Sequence, residues 1–475
     1  MIRSLFAFTF LWAFTVTPAA SEGSGHFRAG AATSNITPWL GISINGNMQD
    51  GTAAHIHDQL HARALALDDG KTQLAIVVVD SCMIPREIFD RAKRLVNKHT
   101  GLPVEHMLMS ATHTHSAPTA VSIFQSRTDA QYLDFLTVRI ADAVRLALNN
   151  LEPAQIGRGV GKVPQHVFNR RWKVKPGTLT PNPFGGNDVL AALAPVDKSD
   201  LAGPAGPTDP DLSIVSVRAS DGRPIALLAN YSLHYVGGVR RGDISADYFG
   251  MFADRVQELL EADRVTPPFV GIMSNGTSGD INNNDRLHPR GKQPPYAQMR
   301  RVAHDVADEA LRVYKSIQHQ DWVPLDVRQT EIQLGVRLPG DEDVRRAQQM
   351  MMEAKGPAMS SKPEIYARET VLLSEYPEKV PMILQALRIG DLGIAAIPCE
   401  VFAEIGLELK EKSPFETTFT FSLANGYNGY LPPPERHKLG GYETWRARSS
   451  YLEVKAAPKV VNQLLKLLNE LNGAE

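Results

Sequence analysis

Short apolar segments alternate with amphipathic helical segments along the first third of the chain, and this alternation limits the possible folds most strongly. Leu74–Asp80 and Met107–Ser110 are predicted strands. A predicted helix at Arg86–Lys98 separates them, and another at Tyr132–Asn149 follows. Strands that alternate with helices in this way predict an α/β fold.

Two later strands indicate that the sheet is not purely parallel. Leu212–Arg218 and Ile225–Asn230 are joined through Asp221-Gly222, a dipeptide suited to a tight hairpin turn. Helices are predicted further on at Tyr248–Ala262, Tyr296–Lys315, Phe402–Lys412 and Ala457–Leu471. A buried strand is predicted at Pro268–Ser274, and a hairpin at Leu384–Ile397. The predicted fold class is therefore α/β, with a mixed β-sheet core flanked by helices.

Two segments depart from this pattern. Val163–Asp209 is rich in Gly, Pro and Asn and has little periodicity, so it is predicted to be a long surface excursion, and such loops are often functional. Asp341–Glu375 is polar and helical and is predicted to be an insertion. Because no repeat or clear linker occurs, residues 26–475 are expected to form a single domain.

The beginning of the chain has the pattern of an export signal. Arg3 precedes an apolar run at Leu5–Val16, and small residues follow at Thr17–Ser21. This order predicts a signal peptide over residues 1–21 and a secreted or periplasmic protein. The apolar run is shorter than the ~20 residues of a membrane helix, and no later segment approaches that length, so no integral membrane segment is expected.

Charge and cysteine content restrict the possible partners. The net charge is −2 over 102 charged residues (50 + 52), without a basic stripe, so the sequence gives no support for binding nucleic acid. We expect a small or neutral ligand. Cys82 and Cys399 both lie at the ends of predicted strands, and the sequence leaves open whether they are paired or free.

The sharpest chemical signal is a pair of histidines in the stretch Ser110-Ala111-Thr112-His113-Thr114-His115-Ser116-Ala117-Pro118. Residues two apart in an extended segment point to the same side, so His113 and His115 can face one cavity. Neutral imidazole is a common zinc ligand. The pair indicates a metal or catalytic site, although two histidines in a surface loop would show the same spacing.

Two more candidates also follow predicted strands. His234 lies after one strand, and Glu400 follows another, where a helix begins. Taken alone, His234 could be a core or turn histidine, and Glu400 could be a helix-terminal charge favoured by the helix dipole. Because strand ends converge in α/β folds, these residues and the histidine pair are predicted to form a joint site.

The Ser-Ala-Thr-His-Thr-His-Ser stretch resembles the most specific motif of the neutral or alkaline non-lysosomal ceramidases, a family of zinc amidases. The resemblance extends from about Arg28 to Tyr442. In that family the first histidine of the pair binds zinc and the second assists catalysis, which implies zinc at His113 and a catalytic His115. The family's Asn-x-x-x-His element resembles the stretch ending at His234, which implies a second ligand there.

Three further elements of the family have counterparts in this chain. Pro398–Phe402 resembles the turn that carries the family's glutamate ligand. Tyr430 and Tyr442 keep the twelve-residue spacing between the family's tyrosine ligand and a second tyrosine that contacts the scissile amide. Asn169-Arg170 corresponds to the pair that holds an active-site arginine. The resemblance thus implies zinc ligands at His113, His234, Glu400 and Tyr430, and catalytic roles for His115, Arg170 and Tyr442.

The resemblance implies a zinc-dependent hydrolase that cleaves the amide bond of ceramide or a related N-acyl compound, with Zn²⁺ as cofactor. Zinc lowers the pKa of a bound water to about 7, which prepares it to attack an acyl carbon. His115 would exchange protons, and Tyr442 with Arg170 would hold the oxyanion. Without the family context, both tyrosines would be interpreted as packing aromatics and Arg170 as a surface charge.

Three departures from the family pattern concern the substrate and the chain end. Asn282 stands where the family's Gly-Asp-x-Ser-Pro-Asn segment has serine, and Leu431–Lys438 replaces an acidic and polar stretch. Asp280 with Asn282 could bind a second cation, but a tight turn is favoured. Only residues 443–475 follow Tyr442, so we expect the family's C-terminal immunoglobulin-like domain to be absent.

Two other functions compete with amide hydrolysis at this stage. The same metal site could hydrolyse an ester, a lactone or an acylated sugar, because a nucleophilic water can attack any of these carbonyls. Alternatively, the chain could be a secreted binding protein on an inactive scaffold. The joint presence of all the implied site residues argues against the binding protein. The expected partner is a small-molecule or lipid-like acyl substrate.

Overall fold

The computed structural model describes residues 27–192, 196–356 and 358–473. The predicted signal peptide over residues 1–21 lies outside the described residues. Among the described residues, no helix is both long and apolar enough to cross a membrane. Cys82 and Cys399 are both buried and free, which settles the question that the sequence left open.

The larger of two principal sheets has eight strands. In chain order they are β1 (Arg28–Asn35), β2 (His61–Asp68), β3 (Gln73–Val79), β4 (Met107–Ala111), β5 (Glu152–Lys162), β6 (Asp211–Ala219), β7 (Pro224–Tyr231) and β8 (Val270–Asn275). Their spatial order is β8-β7-β6-β5-β1-β2-β3-β4. The β3–β4 and β7–β8 pairs are parallel and the other pairs are antiparallel. The predicted mixed sheet is therefore confirmed.

The eight-stranded sheet curls, so strands far apart in its hydrogen-bonding order meet. Strand β8, at one edge, also contacts β2, β3 and, at the opposite edge, β4. The contact is held in part by Asn275, whose side-chain amide donates to the Thr112 carbonyl over 3.1 Å. This curl brings the residues that follow β4 close to those that follow β7 and β8.

A second, four-stranded sheet closes the core. Its strands are β9 (Leu325–Gly335), β10 (Lys379–Ile389), β11 (Leu392–Ala396) and β12 (Thr417–Phe421), in that order, with β11 and β12 parallel. The predicted hairpin at Leu384–Ile397 is the β10–β11 pair. Apolar side chains from both sheets, among them Ile76, Val215 and Leu387, form one buried cluster. The sequence did not indicate this second sheet.

Helices cover the outer faces of the two sheets. They are α1 (Arg86–Thr100), α2 (Ala130–Asn149), α3 (Asp247–Leu259), α4 (Ala297–Tyr314), α5 (Asp341–Glu353), α6 (Lys362–Leu373), α7 (Ala403–Lys412), α8 (Pro434–His437) and α9 (Ala456–Asn472). The α1–α2 and α3–α4 pairs pack on the large sheet, and α7 with α9 packs on the small one. Sheets flanked by helices confirm the predicted α/β class.

The two segments that lack strand and helix alternation each contain secondary structure within their described residues. Within Val163–Asp209, the short strand Phe168–Asn169 pairs with Ile281–Asn282, next to the end of β8. The predicted helical insertion is a hairpin of two helices, α5 and α6. Helix α6 begins at a capping box, in which Ser361 and Glu364 satisfy each other's backbone N–H groups.

Candidate metal centre

The predicted metal ligands follow strands from both sheets. His113 comes after β4 and His234 after β7, and the curl of the large sheet brings them together. Glu400 comes after β11 of the small sheet and begins the short strand Glu400–Val401. That strand pairs in parallel with Tyr430–Leu431, in a register that sets Glu400 beside Tyr430.

Three of these side chains converge on one point. His113 Nε2 lies 3.0 Å from His234 Nε2 and 3.2 Å from Glu400 Oε2, and His234 Nε2 lies 3.9 Å from the same carboxylate oxygen. All three side chains are buried. Among the described residues, they form one of two groups of His, Cys, Asp or Glu whose ligand atoms lie close enough to hold a metal ion; the other is Cys82, His113 and His115.

Backbone carbonyls fix the orientation of both imidazole rings. His113 Nδ1 donates to the Cys82 carbonyl over 2.7 Å, and His234 Nδ1 donates to the Ser278 carbonyl over 3.1 Å. A carbonyl can only accept, so each Nδ1 carries a proton, and Nε2 is the nitrogen of each ring that is left to bind a metal. Such partners are the usual way in which proteins orient metal-binding histidines.

The charge state of the group suits a cation. Burial disfavours the charged form of Glu400, but the neighbouring His113 and the Tyr430 hydroxyl outweigh it and lower the pKa of the carboxyl. Burial, together with the charge of protonated His113, holds the pKa of His234 well below its ordinary value. Burial opposes protonation of His113, but Cys82 and Glu400 outweigh it and raise the pKa of His113 well above its ordinary value. Without a metal, the ionised Glu400 therefore lies beside a protonated His113 and a neutral His234, and a bound cation would take the place of the His113 proton.

Tyr430 and Tyr442 lie beside this group and share an arginine. Their hydroxyls are hydrogen-bonded to each other, and Arg170 Nη2 donates to the Tyr430 hydroxyl over 3.2 Å and to the Tyr442 hydroxyl over 2.9 Å. Arg170 is buried, contrary to its plain interpretation as a surface charge. Its Nη2 also donates to the Gly279 carbonyl over 2.7 Å, so the guanidinium is fixed from several sides.

A buried glutamate orients Arg170. Glu443 Oε1 accepts from Arg170 Nε over 2.9 Å, and its Oε2 accepts from Arg171 Nη1 over 2.5 Å. Asp280 supports the same segment, because its carboxylate accepts from the Asn169 side chain over 2.7 Å and from the Ala403 N–H over 3.0 Å. Asp280 thus ties Asn169 to the start of helix α7, and Asn282 forms a local turn by accepting from the Asn284 N–H.

His115 faces the same cavity as His113, but not for the reason that the i, i+2 spacing suggested, because His113 has a φ of 76° and the segment is not extended there. Its Nε2 lies 3.2 Å from His113 Nε2, and its ring stacks on Tyr235 with centroids 3.7 Å apart. Gly46 makes this position possible, since a Cβ there would lie 2.4 Å from the His115 ring. Burial and the charge of protonated His113 hold the pKa of His115 well below its ordinary value.

The cavity in front of these side chains is small. It has a volume of about 50 Å³, room for only a few water molecules. His113, His115, Glu400, Tyr427, Tyr430 and Tyr442 form its polar lining, and Met83, Ile123 and Phe124 are among its apolar residues. A cavity of this size can hold a water and a reacting carbonyl group.

The family model described as neutral/alkaline non-lysosomal ceramidase, N-terminal, matches residues 27–288, which is more than half of the 475 residues. This chain belongs to that family. A similar protein, neutral ceramidase B of Dictyostelium discoideum, is 24% identical over 285 residues, which cover 56% of this chain and 37% of that protein. The chain therefore matches little more than a third of that relative's length.

Solved structures of ceramidases share the fold. The neutral ceramidase from Pseudomonas aeruginosa superposes with a TM-score of 0.70 at 16% identity, over 94% of this chain and 74% of that chain. A ceramidase complexed with C2 gives 0.71 at 16% identity, over 94% and 75%. These likenesses confirm the predicted fold. Glu400, Tyr430 and Tyr442 lie beyond the segment that the family model matches, so the structure alone places them beside His113.

The donor set fits the zinc ion that the family context implies. Glu400 Oε2 is buried and has no hydrogen-bond partner among the described residues, and the Nε2 atoms of His113 and His234 lie 3.2 and 3.9 Å from it. A buried carboxylate oxygen left unpaired is costly, and a cation would satisfy it. Two imidazoles, a carboxylate and a tyrosine oxygen are ligands that zinc accepts. His113, His234, Glu400 and Tyr430 are the residues that would hold it.

The site also contains residues that the sequence analysis missed. Cys82 holds His113 through its carbonyl, and the Tyr427 hydroxyl donates to Glu400 Oε1 over 2.9 Å. Arg171 shares the Glu443 carboxylate with Arg170. Tyr235 stacks on the ring of His115. A backbone carbonyl carries no sequence signal. Tyr427 lies only three residues before Tyr430, and this short spacing was the one sequence feature that could have indicated that Tyr427 also belongs to the site.

Proposed function

We propose that this chain is a zinc-dependent hydrolase that cleaves the amide bond of ceramide or a related N-acyl compound. The observation that carries the proposal is the convergence of His113, His234 and Glu400 on a point beside an unpartnered, buried carboxylate oxygen. The family membership supports a ceramidase activity. A zinc ion bound there would polarise an acyl carbonyl and lower the pKa of water.

The chain's own residues supply the remaining functions of an amidase. The Tyr442 hydroxyl lines the cavity and would donate to the carbonyl oxygen on which negative charge develops, and Arg170 Nη2, 2.9 Å from that hydroxyl, would support it with its positive charge. His115, with its lowered pKa, is neutral at pH 7 and can accept a proton and pass it to the leaving amine. Glu443 holds Arg170 in place from the side away from the cavity.

Zinc content and amide cleavage test the proposal together. We expect stoichiometric zinc in the purified protein and release of fatty acid and amine from a fluorescent short-chain ceramide. His113→Ala should lose both, because it removes a ligand that contacts both His234 and Glu400. His99→Ala is the matched control, since His99 is exposed at the end of α1 and should change neither.

Three outcomes separate the alternatives. Zinc with amide cleavage, both lost in His113→Ala only, supports the proposal. Zinc without amide cleavage contradicts the amidase and directs the search to esters, lactones and acylated sugars. A protein that purifies without zinc and binds none contradicts the mechanism.

We further propose that the protein is secreted or periplasmic, which rests on the charged, apolar and small residues in order over residues 1–21. Expression of the full chain followed by N-terminal sequencing of the product tests this. We expect a new N-terminus near Ala19–Ser21 in the extracytoplasmic fraction. An uncut N-terminus in the cytoplasmic fraction would contradict it.

A further inference from the structure

The two carboxylate oxygens of Glu400 have different surroundings. Oε2 lies 3.2 Å from His113 Nε2 and 3.9 Å from His234 Nε2, and it has no hydrogen-bond partner among the described residues. Oε1 accepts a hydrogen bond from the Tyr427 hydroxyl over 2.9 Å. The carboxylate therefore turns one oxygen towards the two histidines and the other towards Tyr427.

The glutamate side chain does not select this orientation by itself. Rotation about the last bond of a glutamate is only weakly restricted, so a carboxylate without a partner can present either oxygen, or both, to an ion. A donor that is fixed on one oxygen removes this freedom. Such donors orient metal-binding side chains in many proteins, and their loss weakens metal binding or activity about 10- to 100-fold.

The segment before Tyr427 is held in an unusual backbone conformation. The φ angles of Leu423 and Asn425 are 54° and 61°. Residues other than glycine rarely adopt such angles, and they keep them where the surrounding structure holds them. The Asn425 side chain accepts from Lys93 Nζ over 2.8 Å and donates to the Gln385 side chain over 2.9 Å. Tyr427 thus follows a segment that is fixed by buried partners.

The segment after Tyr427 is bound to the chain around Glu400. The Asn428 N–H donates to the Pro398 carbonyl over 2.6 Å, and the Glu400 N–H donates to the Gly429 carbonyl over 3.0 Å. Because these backbone bonds flank both side chains, they set the distance between the Tyr427 hydroxyl and the Glu400 carboxylate. The donor is therefore in place before any ion binds.

We infer that Tyr427 is a positioning residue that turns a single oxygen of Glu400 towards the metal and thereby favours zinc over larger, oxygen-preferring cations. The inference rests on the proposed function for the presence of the metal. Zinc is usually held by about four ligands. Mn²⁺ prefers about six ligands with more oxygen among them. A second carboxylate oxygen would therefore help Mn²⁺ more than it helps zinc.

Tyr427→Phe tests this, because it removes the hydroxyl and keeps the ring. The dissociation constants of the metal-free protein are measured for zinc by competition with a chromogenic chelator and for Mn²⁺ by the electron paramagnetic resonance of the free ion. We expect zinc binding to weaken about 10- to 100-fold and Mn²⁺ binding to weaken far less, so that the preference for zinc falls. A general loosening of the site would weaken the binding of both metals alike and would overturn the inference.

Tyr451→Phe is the matched control. The Tyr451 hydroxyl accepts from the Asn428 side chain over 2.9 Å, so this bond holds the same segment at the residue next to Tyr427. We expect wild-type affinity for both metals in this variant. Equal effects in Tyr427→Phe and Tyr451→Phe would mean that the segment as a whole matters and not the bond to Glu400, which would overturn the inference.

A double variant asks whether Tyr427 acts through the carboxylate. In a Glu400→Ala background, Tyr427→Phe should change zinc affinity by less than about twofold, because the group that it orients is gone. The full loss in that background would overturn the inference. Wild-type zinc affinity and metal preference in Tyr427→Phe alone would also overturn it and leave the proposed function intact. A wild-type protein that binds no zinc would contradict the proposed function and this inference with it.

Discussion

At the scale of single residues, the candidate metal centre depends on buried charged side chains that form ion pairs with one another. Glu443 is fully buried and receives hydrogen bonds from both Arg170 and Arg171. Arg171 is also buried and donates to the Gly440 carbonyl over 2.7 Å. Removing the negative charge would leave two buried guanidinium groups without their counter-ion.

Glu443→Gln should therefore lower both stability and turnover. Loss of one partner from a buried ion pair costs about 3 kcal/mol, and the freed Arg170 should lower kcat more than it raises KM. Urea unfolding and steady-state kinetics measure the two effects. Glu404→Gln is the control, because its pair with Arg436 is only partly buried. Equal effects in the two variants would contradict the role given to Glu443.

Lys93 provides a pH-dependent test of a buried charge far from the metal ligands. It is buried in α1, and its ammonium donates to the Asn425 side chain over 2.8 Å. Burial lowers the pKa of Lys93 from 10.5 to about 8. The unfolded chain therefore binds this proton more tightly than the folded protein, so stability falls as the pH drops from about 10.5 to about 8 and stays reduced below that.

Lys93→Met should remove this penalty. We expect the variant to be more stable than the wild type by up to about 3 kcal/mol below pH 8, with a difference that shrinks towards pH 10.5. Asn425 keeps a donor, since the Met109 N–H still reaches its oxygen over 3.2 Å. Urea unfolding at the two pH values gives the difference. Lys98→Met, exposed on the same helix, should show none, and a pH-independent difference would refute the assignment.

At the scale of elements, the short strand Glu400–Val401 is held tightly against the segment that follows β8. Gly279 lies against it, and a Cβ at that position would be 2.6 Å from the Glu400 carbonyl oxygen. The Gly279 N–H donates to the Val401 carbonyl over 2.7 Å, and its own carbonyl accepts from Arg170. One close backbone contact thus sets the position of a predicted metal ligand and of the arginine that we propose to be catalytic.

Gly279→Ala should disturb both groups at once. The added methyl group must push the two segments apart, at a cost of about 1–3 kcal/mol. We expect weaker zinc binding, measured by competition with a chromogenic chelator, together with lower turnover. Gly291→Ala is the control, because its Cβ would meet no atom within 4 Å. Unchanged zinc affinity in Gly279→Ala would mean that Glu400 does not depend on this contact.

The strands differ in how well the sequence predicted them. Continuous apolar runs such as Leu74–Asp80 predicted several of the buried strands, and the ends of such strands indicated the candidate site, whereas β1, β2 and β12 were not predicted. Strand β9 was missed because its exposed face gives it the polar sequence LDVRQTEIQLG. Strand β5 was missed because Gly157, Gly159 and Gly161 replace the usual branched residues. These glycines let the end of α4 and the residues after it approach closely, with a Cβ at Gly159 only 2.5 Å from Val313.

The residues of the candidate site also differ in how far the sequence alone could bring them together. His113 and His115 lie in one short motif, so the sequence could pair them. The distance between His113 and Glu400 depends on the curl of the large sheet and on the way the small sheet packs, and neither has a local signal. Family resemblance supplied that connection. The roles of Cys82 and Tyr427 rest on a carbonyl and on one hydroxyl, so they became visible only in three dimensions.

At the scale of the whole molecule, the candidate ligands connect the two sheets. His113 and His234 follow strands of the large sheet, and Glu400 follows a strand of the small one. A bound ion would therefore add a link between two sheets that already meet through apolar side chains and through hydrogen bonds such as that from the Asn230 side chain to the Thr420 carbonyl over 3.1 Å. Metal removal should weaken the molecule as a whole and not only its active site.

Zinc should raise the unfolding temperature, and the shift should grow with the logarithm of the free zinc concentration above its Kd. At free zinc 100 times its Kd, binding to the folded state alone contributes about 2.7 kcal/mol. Differential scanning calorimetry with zinc and with a chelator measures the shift, and hydrogen exchange should show slower exchange in both β4 and β11. His113→Ala should show no zinc-dependent shift. Protection confined to one sheet would contradict the link between them.

The order of the ligands along the chain has a consequence for biosynthesis. Glu400 and Tyr430 lie on two short paired strands late in the chain, so most of the polypeptide has been synthesised before either residue exists. A nascent chain that already carries His113 and His234 lacks the carboxylate that faces them. The proposed hydrolase activity therefore requires nearly complete translation, because a chain that ends before Glu400 lacks two of the four predicted ligands.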